Sequence, residues 1–131
     1  MGETYLLDTN TVIYYLDDAL PEAAMDFVED KLDETGAFIS IISKIELLGW
    51  QAPSERAKRQ VEKFVADCTI LPLSDLIAEK AIEIRRSKKT KLPDAVIAAT
   101  ALAHDFTLIS RNDDDFSGIP GLKYLNPFTA F

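Results

Sequence analysis

The 131-residue chain is one domain's worth of polypeptide, and 47% apolar residues are enough for a packed core, which excludes disorder as a general description. One cysteine, Cys68, and one histidine, His104, exclude an internal disulfide and leave almost no basis for a structural zinc site. A net charge of −8 argues by itself against nucleic-acid binding, yet ten acids and one base fall in residues 1–34, leaving twelve acids and thirteen bases in residues 35–131. A locally positive surface is therefore still open to a phosphate-bearing partner.

The start, Met1-Gly2-Glu3, has no basic, apolar leader, and the longest apolar stretch, Ala95 to Ala103, is too short to span a bilayer. These features predict a soluble, cytoplasmic protein without membrane contact. No repeat, linker or low-complexity segment interrupts the chain, so residues 1–131 read as a single domain.

In chain order, Thr4 to Leu7 is a short apolar run that predicts a buried strand, and Asn10 to Leu16 a short helix. Pro21 opens a helix through about Leu32, with Ala24, Phe27, Val28 and Leu32 at helical spacing, and Gly36 ends it. Ala37 to Ile42 predicts a second strand. Ser43 starts a helix through about Trp50, and Pro53-Ser54 begins one carrying Ala57, Val61, Phe64 and Val65 on one face. Thr69 to Leu71 is a third strand. Ser74 caps a helix whose Ile77, Ala81, Ile82 and Ile84 are expected on the core side. Pro93 begins a helix apolar nearly all round through Ala103; Phe106 to Ile109 and Lys123 to Leu125 complete the strands. Strands alternating with helices predict an α/β fold, a mostly parallel sheet of four to five short strands flanked by helices, with ligands outside the strands' carboxyl ends.

Acids follow those strands. The first runs into Asp8-Thr9-Asn10, the second into Ser43-Lys44-Ile45-Glu46, and the fourth into Ser110-Arg111-Asn112-Asp113-Asp114-Asp115; Asp94 opens the most apolar helix. Each has a plain structural reading. Asp8 can end a strand and start a turn. Glu46, three residues after Ser43, has the spacing of a capping box, which ranks above catalysis for it alone. Asp94 suits a first helical turn, although its apolar flanks imply an acid entering buried surroundings. Asp113 to Asp115 read most simply as a solvated loop. Together at one sheet edge, the carboxylates would repel and raise one another's pKa. A Mg²⁺ or Mn²⁺ ion would remove that penalty and suit phosphodiester chemistry.

Four segments carry a family resemblance. They are Tyr5-Leu-Leu-Asp8-Thr-Asn10, Ile39-Ser-Ile-Ile-Ser43-Lys-Ile-Glu46-Leu-Leu, Leu92-Pro-Asp94-Ala-Val-Ile-Ala-Ala-Thr-Ala-Leu102, and Leu108-Ile-Ser-Arg-Asn112-Asp-Asp-Asp-Phe116. In order and spacing the chain resembles PIN-domain proteins, specifically the VapC-type ribonuclease toxins of toxin–antitoxin pairs. The resemblance implies a PIN-like three-layer sandwich and a Mg²⁺- or Mn²⁺-dependent endoribonuclease. It also implies an RNA substrate, a VapB-like antitoxin partner and a homodimer. Asp8, Glu46 and Asp94 match the family's principal acids: Asp8 and Asp94 are expected to hold the metal, with Glu46 also a ligand or the group that orients or deprotonates the attacking water. Asp113 is taken as the fourth catalytic acid, with Asn112 and Asp115 as other candidates for that position. Thr9 and Ser43 are candidates for holding a carboxylate in place.

The run Arg85-Arg86-Ser87-Lys88-Lys89-Thr90-Lys91 is plainly a solvated helix end, yet its closeness to Asp94 makes Lys88, Lys89 and Lys91, with Arg111, candidates for RNA phosphate contacts. His104 reads as a capping or surface group, Cys68 as buried and inert, and Trp50, Phe64 and Tyr124 as core or interface residues. The acidic helix from Pro21 to Glu34 reads as a solvated face or an antitoxin surface. Two rivals remain: a catalytically inactive PIN-fold module that binds RNA or protein, and another Mg²⁺-dependent phosphoryl-transfer domain. The latter is weakened by Asn10 where a second early Asp would be needed.

Overall fold

Strands and helices alternate along the computed structural model, which describes residues 3–131. Met1 and Gly2, at the head of the segment read for a leader, lie outside the described residues. The elements are β1 (Tyr5–Leu7), α1 (Thr9–Leu16), α2 (Glu22–Thr35), β2 (Phe38–Ser40), α3 (Ile41–Leu48), α4 (Glu55–Asp67), β3 (Thr69–Leu71), α5 (Asp75–Ser87), α6 (Leu92–His104), β4 (Thr107–Ile109), α7 (Asp113–Phe116) and β5 (Tyr124–Leu125). The five strands form one sheet in the order β3-β2-β1-β4-β5, and every neighbouring pair is parallel. Helical crossovers between consecutive strands require this parallel arrangement. Among the described residues, no helix is long and apolar enough to cross a membrane.

Alternation along the strands divides the core. Leu6 and Leu108, paired across β1 and β4, face the cluster built by Ile77, Ala81 and Ile84 of α5, the alanine-rich α6, and Phe116. Leu7, Ile109 and Ile39 face the opposite cluster of Val12, Ala24, Val28, Val61 and Val65. The architecture is thus helix, sheet, helix, as expected of a PIN-like sandwich. Small side chains explain the depth of α6: Ala95, Ala98, Ala99 and Ala101 are fully buried, which lets its backbone approach both the sheet and α5. Gly36 takes φ 75° at the end of α2, where a side chain would be strained, and turns the chain into β2.

Three expectations need correction. The second strand ends at Ser40, and the helix expected from Ser43 begins at Ile41. Ser40 Oγ accepts from Ile42 N at 3.1 Å, so this cap overrides the β-preference of Ile41 and Ile42. The run Asp113 to Asp115 is the start of α7 rather than a solvated loop, because Phe116, 1% exposed, anchors it in the core. Ile82 is 50% exposed, since a helix presents one face inward and Ile77, Ala81 and Ile84 occupy it. Trp50 is also exposed, whereas Phe64 and Tyr124 are half-buried.

Leu108→Ala is expected to cost about 3 kcal/mol by opening a cavity in the central sheet, and Ile82→Ala less than about 0.5 kcal/mol; urea unfolding of both variants checks the contrast.

Candidate active site

Strand order reverses between β1 and β4, and a crevice opens outside the carboxyl ends of the strands there. Asp8 directly follows β1. It is 6% exposed, and its Oδ1 accepts from Thr11 N at 2.8 Å, which caps α1. Burial raises its pKa, while hydrogen bonds from Ser110 and Thr11 pull it partly back; the charge of Glu46 adds a smaller upward push. Ser110 was not singled out from the sequence. The signal is the register: Leu7 pairs with Ile109, so the next residues, Asp8 and Ser110, stand side by side.

Glu46 lies on α3. The residue that caps this helix is Ser40, so the capping-box reading of Glu46 with Ser43 fails. Ser43 instead falls inside the helix and is buried. Thr9 Oγ1 donates to Glu46 Oε1 at 2.5 Å and lies 3.0 Å from Ser43 Oγ. Thr9 and Ser43 thus form a hydroxyl bridge from α1 to α3 that aims the Glu46 carboxylate.

Asp94 sits in the first turn of α6. Burial, a hydrogen bond with Asp115 and the charges of Asp115, Asp8 and Glu46 push its pKa up to about 7. The acid facing Asp94 is therefore Asp115. Asp113 is turned elsewhere: its carboxylate accepts from Tyr124 Oη, and Asn126 Nδ2 lies 3.2 and 3.3 Å from its two oxygens. Asn112 caps α7, accepting from Asp115 N at 3.3 Å, and its amide donates to the Asp115 carboxylate. Asp113 and Asn112 thus fix α7, and α7 presents Asp115.

The basic candidates separate. Lys88 Nζ donates to the Asp114 carbonyl at 2.7 Å, so its charge braces α7. Lys89 and Lys91 are exposed in the connection from α5 to α6. Arg111 is exposed beside Asp8, its guanidinium carbon 4.0 Å from the Phe128 ring centroid. His104 is exposed at the end of α6. Cys68 is half-buried, and burial pushes its thiol up to about 12, which keeps it protonated.

Asp8, Glu46, Asp94 and Asp115 come from four separate segments; Asp115, Asp8 and Glu46 all act on Asp94, and Glu46 acts on Asp8. Among the described residues, the ion pairs are Lys31–Glu34 and Lys123–Asp105, so none of these acids is in an ion pair. Nor are three of the described His, Cys, Asp or Glu residues drawn into a group that would hold a metal ion unaided. The donor set is nonetheless all hard carboxylate oxygen with unrelieved negative charge, which fits a Mg²⁺-type cation that keeps part of its water. A cleft of about 420 Å³ lies elsewhere, apolar and lined by residues that include Tyr15, Leu16, Leu32 and Phe64.

A PIN domain family model matches residues 5–122, and the chain belongs to that family. It is similar to a toxin–antitoxin complex from Klebsiella pneumoniae, at 31% identity and TM-score 0.74, over 95% of this chain and 98% of that one. It is also similar to VapBC-1 from nontypeable Haemophilus influenzae, at 25% identity and TM-score 0.75, over 94% and 97% of the two chains. VapBC2 from Rickettsia felis, solved with a promoter DNA fragment, shares the fold at 24% identity and TM-score 0.78, over 94% and 98%. No curated protein is similar enough to match. The VapC-type resemblance read from the four segments agrees with these relatives.

The Asp94 carboxyl group sets a pH dependence. Unfolded, it ionises near 3.8; folded and metal-free, near 7. Between those values the folded state holds more protons, so stability falls as pH rises and levels off above about 7. Asp94→Asn cannot ionise and removes this part of the slope. After solvent screening of a half-exposed group, the gain at pH 8 is expected to be about 1 kcal/mol, or about 4 °C in Tm, measured by thermal unfolding in EDTA.

Proposed function

We propose that this protein is a metal-dependent endoribonuclease, a VapC-like toxin hydrolysing RNA phosphodiester bonds, acting in the cytoplasm as one domain over residues 1–131 and neutralised by a cognate antitoxin. The convergence of Asp8, Glu46, Asp94 and Asp115 at the strand ends, with none of them in an ion pair, carries the reading. Asp8 and Asp94 would hold Mg²⁺ or Mn²⁺, with Glu46 and Asp115 as further oxygen donors. Bound there, the ion would supply charge neutralisation at the scissile phosphate and activation of water. Glu46, aimed by Thr9 and Ser43, would orient the attacking water and accept its proton. Asp115 takes the fourth position, while Asp113 secures α7. Arg111 is the basic side chain best placed to meet RNA phosphate; Lys89 and Lys91 add positive potential near Asp94, and Lys88 supports the site through α7.

Two surfaces support the partner assignments. The apolar cleft between α1 and α4 lies beside acidic α2, whose Glu29 and Asp33 act on Tyr15. An antitoxin segment with apolar anchors and basic flanks fits that combination. Exposed apolar side chains on α3 (Ile45, Leu48), around the start of α5 (Leu73, Leu76) and at Leu92 support a homodimer. Ile45→Glu with Leu76→Glu is expected to give monomers in sedimentation equilibrium where the wild type gives dimers; a monomeric wild type would end the dimer assignment.

The main test incubates antitoxin-free protein with total RNA and Mn²⁺ or Mg²⁺. Discrete cleavage is expected, abolished by EDTA and reduced about 10²-fold or more in Asp94→Asn; Thr9→Val is expected to lose about tenfold through its hold on Glu46. Equal cleavage by wild type and Asp94→Asn would reject the assignment. Calorimetric metal binding without cleavage would favour the inactive binding module.

A further inference from the structure

A second cleft, about 290 Å³, shares Asp8 with the acid cluster and is otherwise lined by Asn10, Tyr14, Arg111 and Asn112. Three features of its walls are unexplained by the fold. Asn10 lies in the first turn of α1, where Asp8 already provides the cap, and Asn is a weak helix former that gains nothing there. Its amide is exposed at the cleft. Arg111 forms neither of the ion pairs of the described residues, although Asp113, Asp114 and Asp115 follow it closely in sequence. Its guanidinium is stacked instead, 4.0 Å from the Phe128 centroid and 5.6 Å from that of Tyr14. Tyr14 is set edge-on to Phe128 with centroids 5.2 Å apart, so the two rings and the guanidinium form one fixed cluster.

We infer that this cleft is a nucleotide subsite, taking the base next to the scissile phosphate and so setting the sequence at which RNA is cut. The inference rests on the endoribonuclease reading and deepens it. The cleft is close to the small end of ligand sites, about 300 Å³, which suits one nucleotide rather than a folded element. Aromatic rings and guanidinium planes are the surfaces on which unstacked RNA bases settle. An amide offers a donor and an acceptor together, so the Asn10 side chain can distinguish base edges that a flat stacking surface cannot. Asn112 is committed to α7, which leaves Asn10 as the reading group. Because Asp8 lines this cleft and also belongs to the acid cluster, a base held here places its neighbouring phosphate against the acids.

Two measurements test the subsite. In ¹⁵N-resolved spectra of the full chain without metal, each of the four ribonucleoside 5′-monophosphates is titrated separately. One or two of them are expected to shift the Asn10 side-chain amide, while Arg111 Nε–H, which also meets phosphate, shifts with all four. No Asn10 shift from any of the four, or identical Asn10 shifts from all, would overturn base recognition; the latter would mark a phosphate contact only. In the second, cleavage of a random-sequence single-stranded RNA pool is mapped for wild type, Asn10→Ala and Tyr14→Leu. Asn10→Ala, on an exposed helical turn, is expected to keep its fold and flatten the preference at one base beside the cut by about tenfold. Tyr14→Leu is expected to weaken binding of an uncleavable 2′-O-methyl RNA by about tenfold. Unchanged preferences in both variants would reject the subsite while leaving the nuclease standing. Selective nucleotide shifts without any cleavage by wild type would reject the nuclease while keeping the subsite.

Discussion

The pairing of β1 with β4 is the constraint on which the rest of this molecule depends. These strands lie about a hundred residues apart in the chain, yet Leu7 is set against Ile109 at the middle of the sheet. That register places Asp8 beside Ser110 and starts α1 and the segment toward α7 from the same edge. It also sends Leu6 and Leu108 to one core and Leu7 and Ile109 to the other. Both faces are covered by helices, so the strand ends are the part of the sheet still open to a polar ligand.

The site works against the stability of the fold that makes it. Burial and mutual repulsion disfavour ionised Asp8 and Asp94, although the first turn of α6 offers Asp94 a favourable dipole. Holding such groups together requires stiff support. Ser110 and the α1 backbone fix Asp8, the Thr9–Ser43 bridge fixes Glu46, and α7 fixes Asp115. This four-residue helix is itself held by Phe116 in the core, Lys88 on one carbonyl, and Tyr124 and Asn126 on Asp113. The supporting groups come from the chain just after α5, from β5 and from the chain beyond it, so distant segments control the carboxylate geometry.

Charge and apolar surface are distributed by region. The acid cluster and the cleft of Arg111 occupy the carboxyl ends of β1 and β4, whereas the large apolar cleft is bounded by α1, α4 and the end of α2. The first quarter of the chain holds all of the net negative charge, and much of it lies on exposed positions of α2. The overall pI therefore describes that helix better than it describes the surroundings of the acid cluster.

Much of this was legible in the sequence because local signals agreed with the tertiary outcome. Apolar runs marked β1, ended by Asp8, and β4, followed after three intervening residues by Asp113; Ser54 and Ser74 marked helix starts by capping them, and the alternation of elements determined a parallel sheet with its open edge at Asp8. Where competing local preferences were close, tertiary packing decided. Ser40 became the cap because burial at the strand end left its hydroxyl the partner of Ile42 N, and this moved Ser43 inward and released Glu46 from capping. Phe116 turned an apparently solvated acidic run into a helix. Which of three consecutive aspartates faces Asp94 depends on the rotation of that one helical turn, set by Tyr124 and Asn126 from another part of the chain. Composition and spacing along the sequence determine which chemistry the chain can carry; contacts between residues far apart in it determine which oxygen points where.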